Sequence, residues 1–195
     1  MRALGILRRL ARQARGIAAV EFALIATPLC LVLLALIDLG FRAYIGAALE
    51  GALDQAARKV TVGGVTPATI SAFVGTRVRS ILPGATVTVT PKSYGDFSSV
   101  GKPEPITTDT APLGTYNAGD CFLDQNGNGV WDSDAGRTGN GGSDDVVYYT
   151  ATVSFPALVP LGRLIGWGST RTVSATTMVR NQPYAAQPQP LIICT

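Results

Sequence analysis

The chain has 195 residues, three cysteines, no histidine and a formal net charge of +3 from 16 basic and 13 acidic side chains. The lack of histidine excludes Ser-His-Asp and Cys-His nucleophilic sites and His-ligated zinc, and the sequence contains no P-loop, Gly-x-Gly-x-x-Gly or Cys-x-x-Cys pattern. Hydrophobic residues make up 47% of the chain, and they are concentrated near its beginning.

Residues 1–16 carry Arg2, Arg8, Arg9, Arg12 and Arg15 and no acid. Beside a membrane span, such a cluster sets the amino end on the cytoplasmic side. Without these arginines, eleven basic residues face thirteen acidic ones. The basic balance is therefore a topology signal, and no nucleic-acid partner is expected.

Residues 17–39 form a largely apolar run with only two charges, Glu21 and Asp38. As a helix this run is about 35 Å long, enough to cross a bilayer core of about 30 Å with some tilt. A cleaved secretory signal fits less well, because its apolar core is shorter, roughly 7–15 residues, and is followed by a small-residue cut site. A carboxylate one turn inside such a segment costs about 2–3 kcal/mol, which marks Glu21 as a functional residue. Pro28 removes a backbone donor within the span and is expected to kink it. Cys30, two residues on, is expected to act as a small hydrophobe.

Beyond Gly40 the apolar positions Phe41, Ile45, Leu49, Leu53, Ala56 and Val60 recur at helical spacing, with Gly63-Gly64 as the stop. The spacing predicts one helix running through 41–62. An anchor joined at Gly40 by a bend to a separate amphipathic helix satisfies the same periodicity.

Residues 65–182 are long enough for a small domain with its own core. Thr66-Pro67 marks a helix start, Ile70, Phe73, Val74, Val78 and Ile81 give the helix an apolar face, and Pro83-Gly84 ends it. Residues 85–90, 146–155 and 172–180 alternate apolar residues with hydroxyls and are predicted to be antiparallel strands. Residues 91–143, with prolines at 91, 103, 105 and 112 and many glycines, are predicted to be loop-rich, and 156–171 to form a packed turn or short helix. The Pro-rich tail, 183–195, is predicted to be extended. The resulting class is α+β: a long, partly transmembrane amino-terminal helix, then a small extracytoplasmic domain with a second helix and an antiparallel sheet.

Two features of that domain invite chemistry. Asp124, Asn126, Asn128, Val130 (through its carbonyl) and Asp132 fall at the first, third, fifth, seventh and ninth places of an EF-hand-type calcium loop, with Gly129 sixth. The bidentate acid of the twelfth place is missing, since Ala135 stands there; Asp134, Asp144 or Asp145 would have to replace it. A solvated Asn-Gly turn accounts for the same residues. Cys121 and Cys194 are either a disulfide, as an oxidising compartment favours, or two separate thiols. No catalytic residue is expected, because the acids cluster in a glycine-rich loop where nothing apolar would tune a pKa.

Gly16, the run Ile17-Ala18-Ala19-Val20-Glu21-Phe22-Ala23-Leu24, Pro28 and the later Ile37-Asp38-Leu39-Gly40 together resemble the amino-terminal signature of TadE-like minor pilins, or pseudopilins, of the tight-adherence (Flp) pilus system. Residues 15–62 carry the likeness well. Phe155-Pro156, Pro160-Leu161 and the run from Arg180 to Tyr184 carry it more loosely. The resemblance implies cleavage by a prepilin peptidase between Gly16 and Ile17, with Glu21 serving in subunit assembly. It also implies a bacterial inner-membrane protein crossing once, with its carboxy-terminal domain in the periplasm or carried into an extracellular pilus. Its partners would be the prepilin peptidase, other pilin subunits and the assembly machinery. No cofactor is required by this reading, and calcium is the one candidate. The alternative is an uncleaved anchor carrying a calcium-dependent binding or adhesion module.

Overall fold

In a computed structural model, residues 14–60, 66–159, 166, 168–182 and 185–194 are described. The leader up to residue 13, the Gly63-Gly64 stop, Pro160-Leu161 and Tyr184 lie outside them. The chain divides into two compact units, Met1–Ala43 with Ala157–Ser169, and Tyr44–Pro156 with Thr170–Thr195.

Helix α1, Ala14–Val60, is 47 residues long and runs unbroken through both Pro28 and Gly40. The single helix expected from the periodicity is thus present up to Val60, with no break at Gly40. Pro28 has no N–H to offer the carbonyl of Leu24, and one residue away the Thr27 hydroxyl donates to the Ala23 carbonyl at 2.7 Å. Within the first unit, all but one of the large apolar side chains from Ile17 to Leu39 are exposed, Phe22 and Leu24 each 74%, and Leu34 is half-buried. Within the second unit the same helix buries Ile45, Leu49, Ala52, Leu53, Ala56 and Ala57.

Helix α2, Pro67–Ile81, starts as its sequence dictates: the Thr66 hydroxyl accepts from the Thr69 N–H, and Pro67 occupies the first turn, where no donor is needed. Ile70, Val74 and Val78 are buried, while Ile81 in the last turn is 38% exposed. Phe73 is half-buried, and the Lys59 ammonium of α1 lies 3.9 Å from its ring centre. Arg77 also reaches back to α1, donating to the Gln55 side chain.

Seven strands follow among the described residues, where three were expected. They are β1 (Thr86–Tyr94), β2 (Ile106–Thr108), β3 (Cys121–Asp124), β4 (Arg137–Thr138), β5 (Val146–Pro156), β6 (Thr170–Arg180) and β7 (Leu191–Cys194). They form two antiparallel sheets, one ordered β4-β1-β5-β6 and the other β2-β3-β7. Residues 91–143 are therefore not all loop: β1 continues to Tyr94, and β2, β3 and β4 lie among the prolines and glycines. The tail, expected to be merely extended, supplies β7. The connection at 156–171 is shorter than expected, because Pro156 closes β5 and Thr170 opens β6; most of what lies between is outside the described residues.

The register of the larger sheet explains its two faces. Val87 pairs with Val153 and Val153 with Val173, Val89 with Ala151 and Ala151 with Ala175, and Pro91 with Tyr149. These positions share the core face, where Tyr149, Ala151, Val153 and Phe155 are at most 2% exposed. Offset by one residue, the opposite face carries hydroxyls in three rows, Thr90-Thr150-Thr176, Thr88-Thr152-Ser174 and Thr86-Ser154-Thr172. Threonine and serine there keep β-propensity without adding apolar surface to a wetted face.

One corner of the domain depends on a glycine. Gly141 has φ +64°, and a Cβ there would strike the Asp145 carboxylate and lie 2.6 Å from Ser93 Cβ. Only the absence of a side chain lets the loop close over Asp145.

Candidate functional site

At the amino end of α1, Gly16 meets nothing: a Cβ placed on it would have no heavy atom within 4 Å. Glycine costs a helix interior about 1 kcal/mol relative to alanine, so neither packing nor backbone conformation explains its presence here. Ile17 is 60% exposed, and Glu21 is exposed on the same outward-facing helix. Gly16–Lys59 is a helix long and apolar enough to cross a membrane, its most apolar window having a mean hydropathy of 2.5 with none of it buried. This is what single-pass anchoring requires.

The aspartate-rich loop after β3 is built around two carboxylates. Asp124 accepts from the N–H groups of Gly127 (2.7 Å), Asn128 (3.2 Å) and Gly129 (2.9 Å), which curls the chain back over it. Gly127 and Gly129 both have positive φ, as this tight path demands. The side chains of the third, fifth and ninth places meet: Asn126 Nδ2 and Asn128 Nδ2 donate to Asp132 Oδ2 at 2.7 and 2.6 Å. Asp134 does not join them. It accepts from Lys92 and, at 2.9 Å, from the Tyr94 hydroxyl. Among the described residues no three acids, cysteines or histidines are gathered in a metal-holding arrangement.

The second carboxylate, Glu104, is 1% exposed and was not anticipated from the sequence. It accepts from the N–H groups of Gln125, Asn126 and Asp132 at 2.8, 3.2 and 3.1 Å, pinning both ends of the loop. Its own carbonyl accepts from Trp131 Nε1 at 2.9 Å, and Trp131 stacks on Tyr116 at 4.9 Å between ring centres. The only signal in the sequence is an acid flanked by Pro103 and Pro105, which says nothing about burial.

The loop acids respond to their surroundings in opposite senses. Burial pushes the Glu104 carboxyl above its ordinary 4.5, the backbone donors pull it back in part, and the charge of Asp124 adds to the rise. Asp120 is held below its ordinary 3.8 chiefly by the Thr110 N–H, with burial opposing and the Thr110 hydroxyl and Asn117 N–H assisting. Burial lifts Asp134, but the hydrogen bonds from Lys92, Tyr94 and Gly136 outweigh it and hold it low. By linkage, Asp120 and Asp134 contribute stability above their unfolded pKa that is lost as the pH falls through the depressed folded one. For Glu104 the sign reverses: its contribution is present at low pH and lost as the pH rises through the elevated folded value. The Tyr94 phenol is pushed up to about 12 by burial and by its bond to Asp134, so it stays a donor.

Cys121 and Cys194 are joined by a disulfide, on strand positions that face each other across the β3–β7 pair. Cys30 is free and exposed on α1.

A family model described as TadE, TadE-like protein, matches residues 16–58. The amino-terminal segment is TadE-like. No curated protein and no solved structure matches the chain. The TadE-like segment begins at Gly16 and ends within α1, so it takes in the apolar span, Glu21 and the part of the helix that packs into the second unit. The likeness covers 43 of the 195 residues and falls on the one helix among the described residues that is long and apolar enough to cross a membrane.

Proposed function

We propose that this TadE-like chain is a minor pilin that a prepilin peptidase cuts between Gly16 and Ile17 before it takes part in assembling a Flp-type pilus for surface attachment. The observation that carries this reading is the glycine at the start of the TadE-like segment, which the fold does not need. A peptidase that must bring a catalytic group to the scissile bond does need it. Before cleavage the chain crosses the bacterial inner membrane once, with the arginine-rich leader in the cytoplasm and the sheet domain in the periplasm, and the mature chain keeps the span. TadE-like proteins are generally structural, and the chain acts here as a peptidase substrate and a packing unit.

Cleavage would leave a positive α-amino group at Ile17, about one helical turn from Glu21. At the edge of a low-dielectric layer each charge carries a desolvation cost that pairing offsets, whether within one chain or between neighbouring subunits. Mass spectrometry of the membrane-extracted protein is expected to find the amino terminus at Ile17, and Gly16→Leu to retain its leader. Glu21→Ala is expected to insert and fold but to fail to incorporate into pili. An intact leader in the wild type removes the processing step, and normal incorporation of Glu21→Ala removes the role of the pair.

A second reading, an anchored calcium-dependent module, draws on the convergence of Asn126 and Asn128 on Asp132. Rotating the two amides would turn oxygens toward Asp132 in place of nitrogens. If calcium binds the folded state alone at a hundredfold excess over Kd, stability rises by about 2.7 kcal/mol. Melts of the full chain in detergent are then expected to differ by several degrees between calcium and chelator, and Asp132→Ala to abolish the difference. Superimposable melts would retire this reading.

A further inference from the structure

A groove of about 590 Å³ opens on the solvent side of the larger sheet, lined among others by Thr90, Lys92, Asp134, Tyr148, Thr150 and Met178. Its size falls within the roughly 300–1,000 Å³ of small-molecule sites. The register explains its composition. Lys92 of β1 pairs with Tyr148 of β5, and Tyr148 with Met178 of β6, so cation, aromatic ring and thioether stand in one row across three strands. Thr90 and Thr150 stand side by side in the next row.

We propose that this groove binds a short, uncharged oligosaccharide of pyranose rings, with Tyr148 as the stacking platform. Three features of the groove select that chemistry. First, its two charges neutralise each other in the Lys92–Asp134 ion pair, which leaves no net field to recruit an anion or a cation. Lys92 keeps two of its three donors for a ligand. Second, Thr90 and Thr150 each offer a donor and an acceptor, the pairing that neighbouring sugar hydroxyls require. Third, the phenol ring of Tyr148 and the Met178 side chain, 51% exposed, supply apolar surface for the C–H face of a pyranose. Asp134 is fixed by Tyr94 and by the Gly136 N–H, so the polar wall is preorganised before a ligand arrives. This site is independent of leader cleavage and of Glu21, and goes beyond the assembly role proposed above.

The test is calorimetric titration of the full chain, in a detergent without a sugar headgroup, with cellotriose, maltotriose and chitotriose. At least one is expected to bind with a Kd of about 1 mM or tighter. Tyr148→Leu, which keeps apolar volume on the strand, is expected to weaken that binding about tenfold or more, and Tyr148→Phe to leave it nearly unchanged. Should Tyr148→Leu fail to fold, the double variant Lys92→Met with Thr150→Val must lose binding instead. Glu21→Ala is expected to bind like the wild type, which separates this result from that of the pilus experiment. Absence of saturable binding by all three trisaccharides, or wild-type affinity in Tyr148→Leu, overturns the proposal.

Discussion

Replacing both cysteines, Cys121→Ser with Cys194→Ser, is expected to lower the stability of the second unit by about 3–4 kcal/mol. The bridge closes a loop with a sequence separation of 73. In the chain-entropy description, a loop of that size restricts the unfolded chain by about 4 kcal/mol. The folded side of the balance gives β7 little else to hold it. It is four residues long at the edge of a three-stranded sheet, with Leu191 71% and Ile192 63% exposed. Urea unfolding of the full chain in detergent should show the midpoint shifted down for the double variant and for the reduced wild type alike. A midpoint that does not move would mean that noncovalent pairing of β3 with β7 suffices.

Asp145→Ala is expected to cost about 2–4 kcal/mol, the largest effect anticipated for a single substitution outside the apolar core. The side chain of Asp145 is fully buried and accepts from Arg137 Nη2 at 2.9 Å, the Gly142 N–H at 2.7 Å and Gln187 Nε2 at 2.6 Å. Truncation orphans all three donors at once and unties β4, the Gly141 turn and the tail from one another. The cost stays below that of a wholly buried pair because the Arg137 side chain is 37% exposed and can rehydrate. Asp145→Asn, which keeps one acceptor oxygen but turns an amide toward the donors, should fall between. The same unfolding measurement decides it: Asp145→Ala at wild-type stability would show that solvent satisfies those donors without penalty.

The parts of this fold that the sequence announces are those held by period and local chemistry. The long helix is written in its spacing of apolar residues, the start of α2 in Thr66-Pro67, and β5 in an alternation whose register partners are alternating strands. What it conceals is held by long-range hydrogen bonds. Strands β2, β3 and β4 are two to four residues long and lie between turns, too short to show a period. Strand β7 follows a proline-rich run and exists because β3 receives it. The same holds at the candidate sites. Gly16 and Glu21 stand out in sequence because each breaks a local rule within an apolar helix. Asp134, grouped with the loop acids by its spacing, answers instead to Lys92 and Tyr94, some forty residues earlier. Glu104 looks like an ordinary surface acid, and Asp145, a candidate for the missing twelfth place of the loop, is instead engaged by Arg137, Gly142 and Gln187 once the backbone folds over it. Tyr148 is one tyrosine of a pair in β5, and only the pleat decides that it faces solvent while Tyr149 enters the core.

Strand β5 is flanked along nearly its whole length, by β1 from Val146 to Ser154 and by β6 from Val146 to Pro156. Its amide hydrogens point into ladders on both sides, so no fraying of one neighbour can bring all of them to water. Deuterium uptake there waits on the opening of the entire sheet, whereas uptake at the outer edge of β6 follows small local excursions. The slowest-exchanging amides of β5 thus clock global unfolding of the domain under native conditions, in the membrane as readily as in detergent.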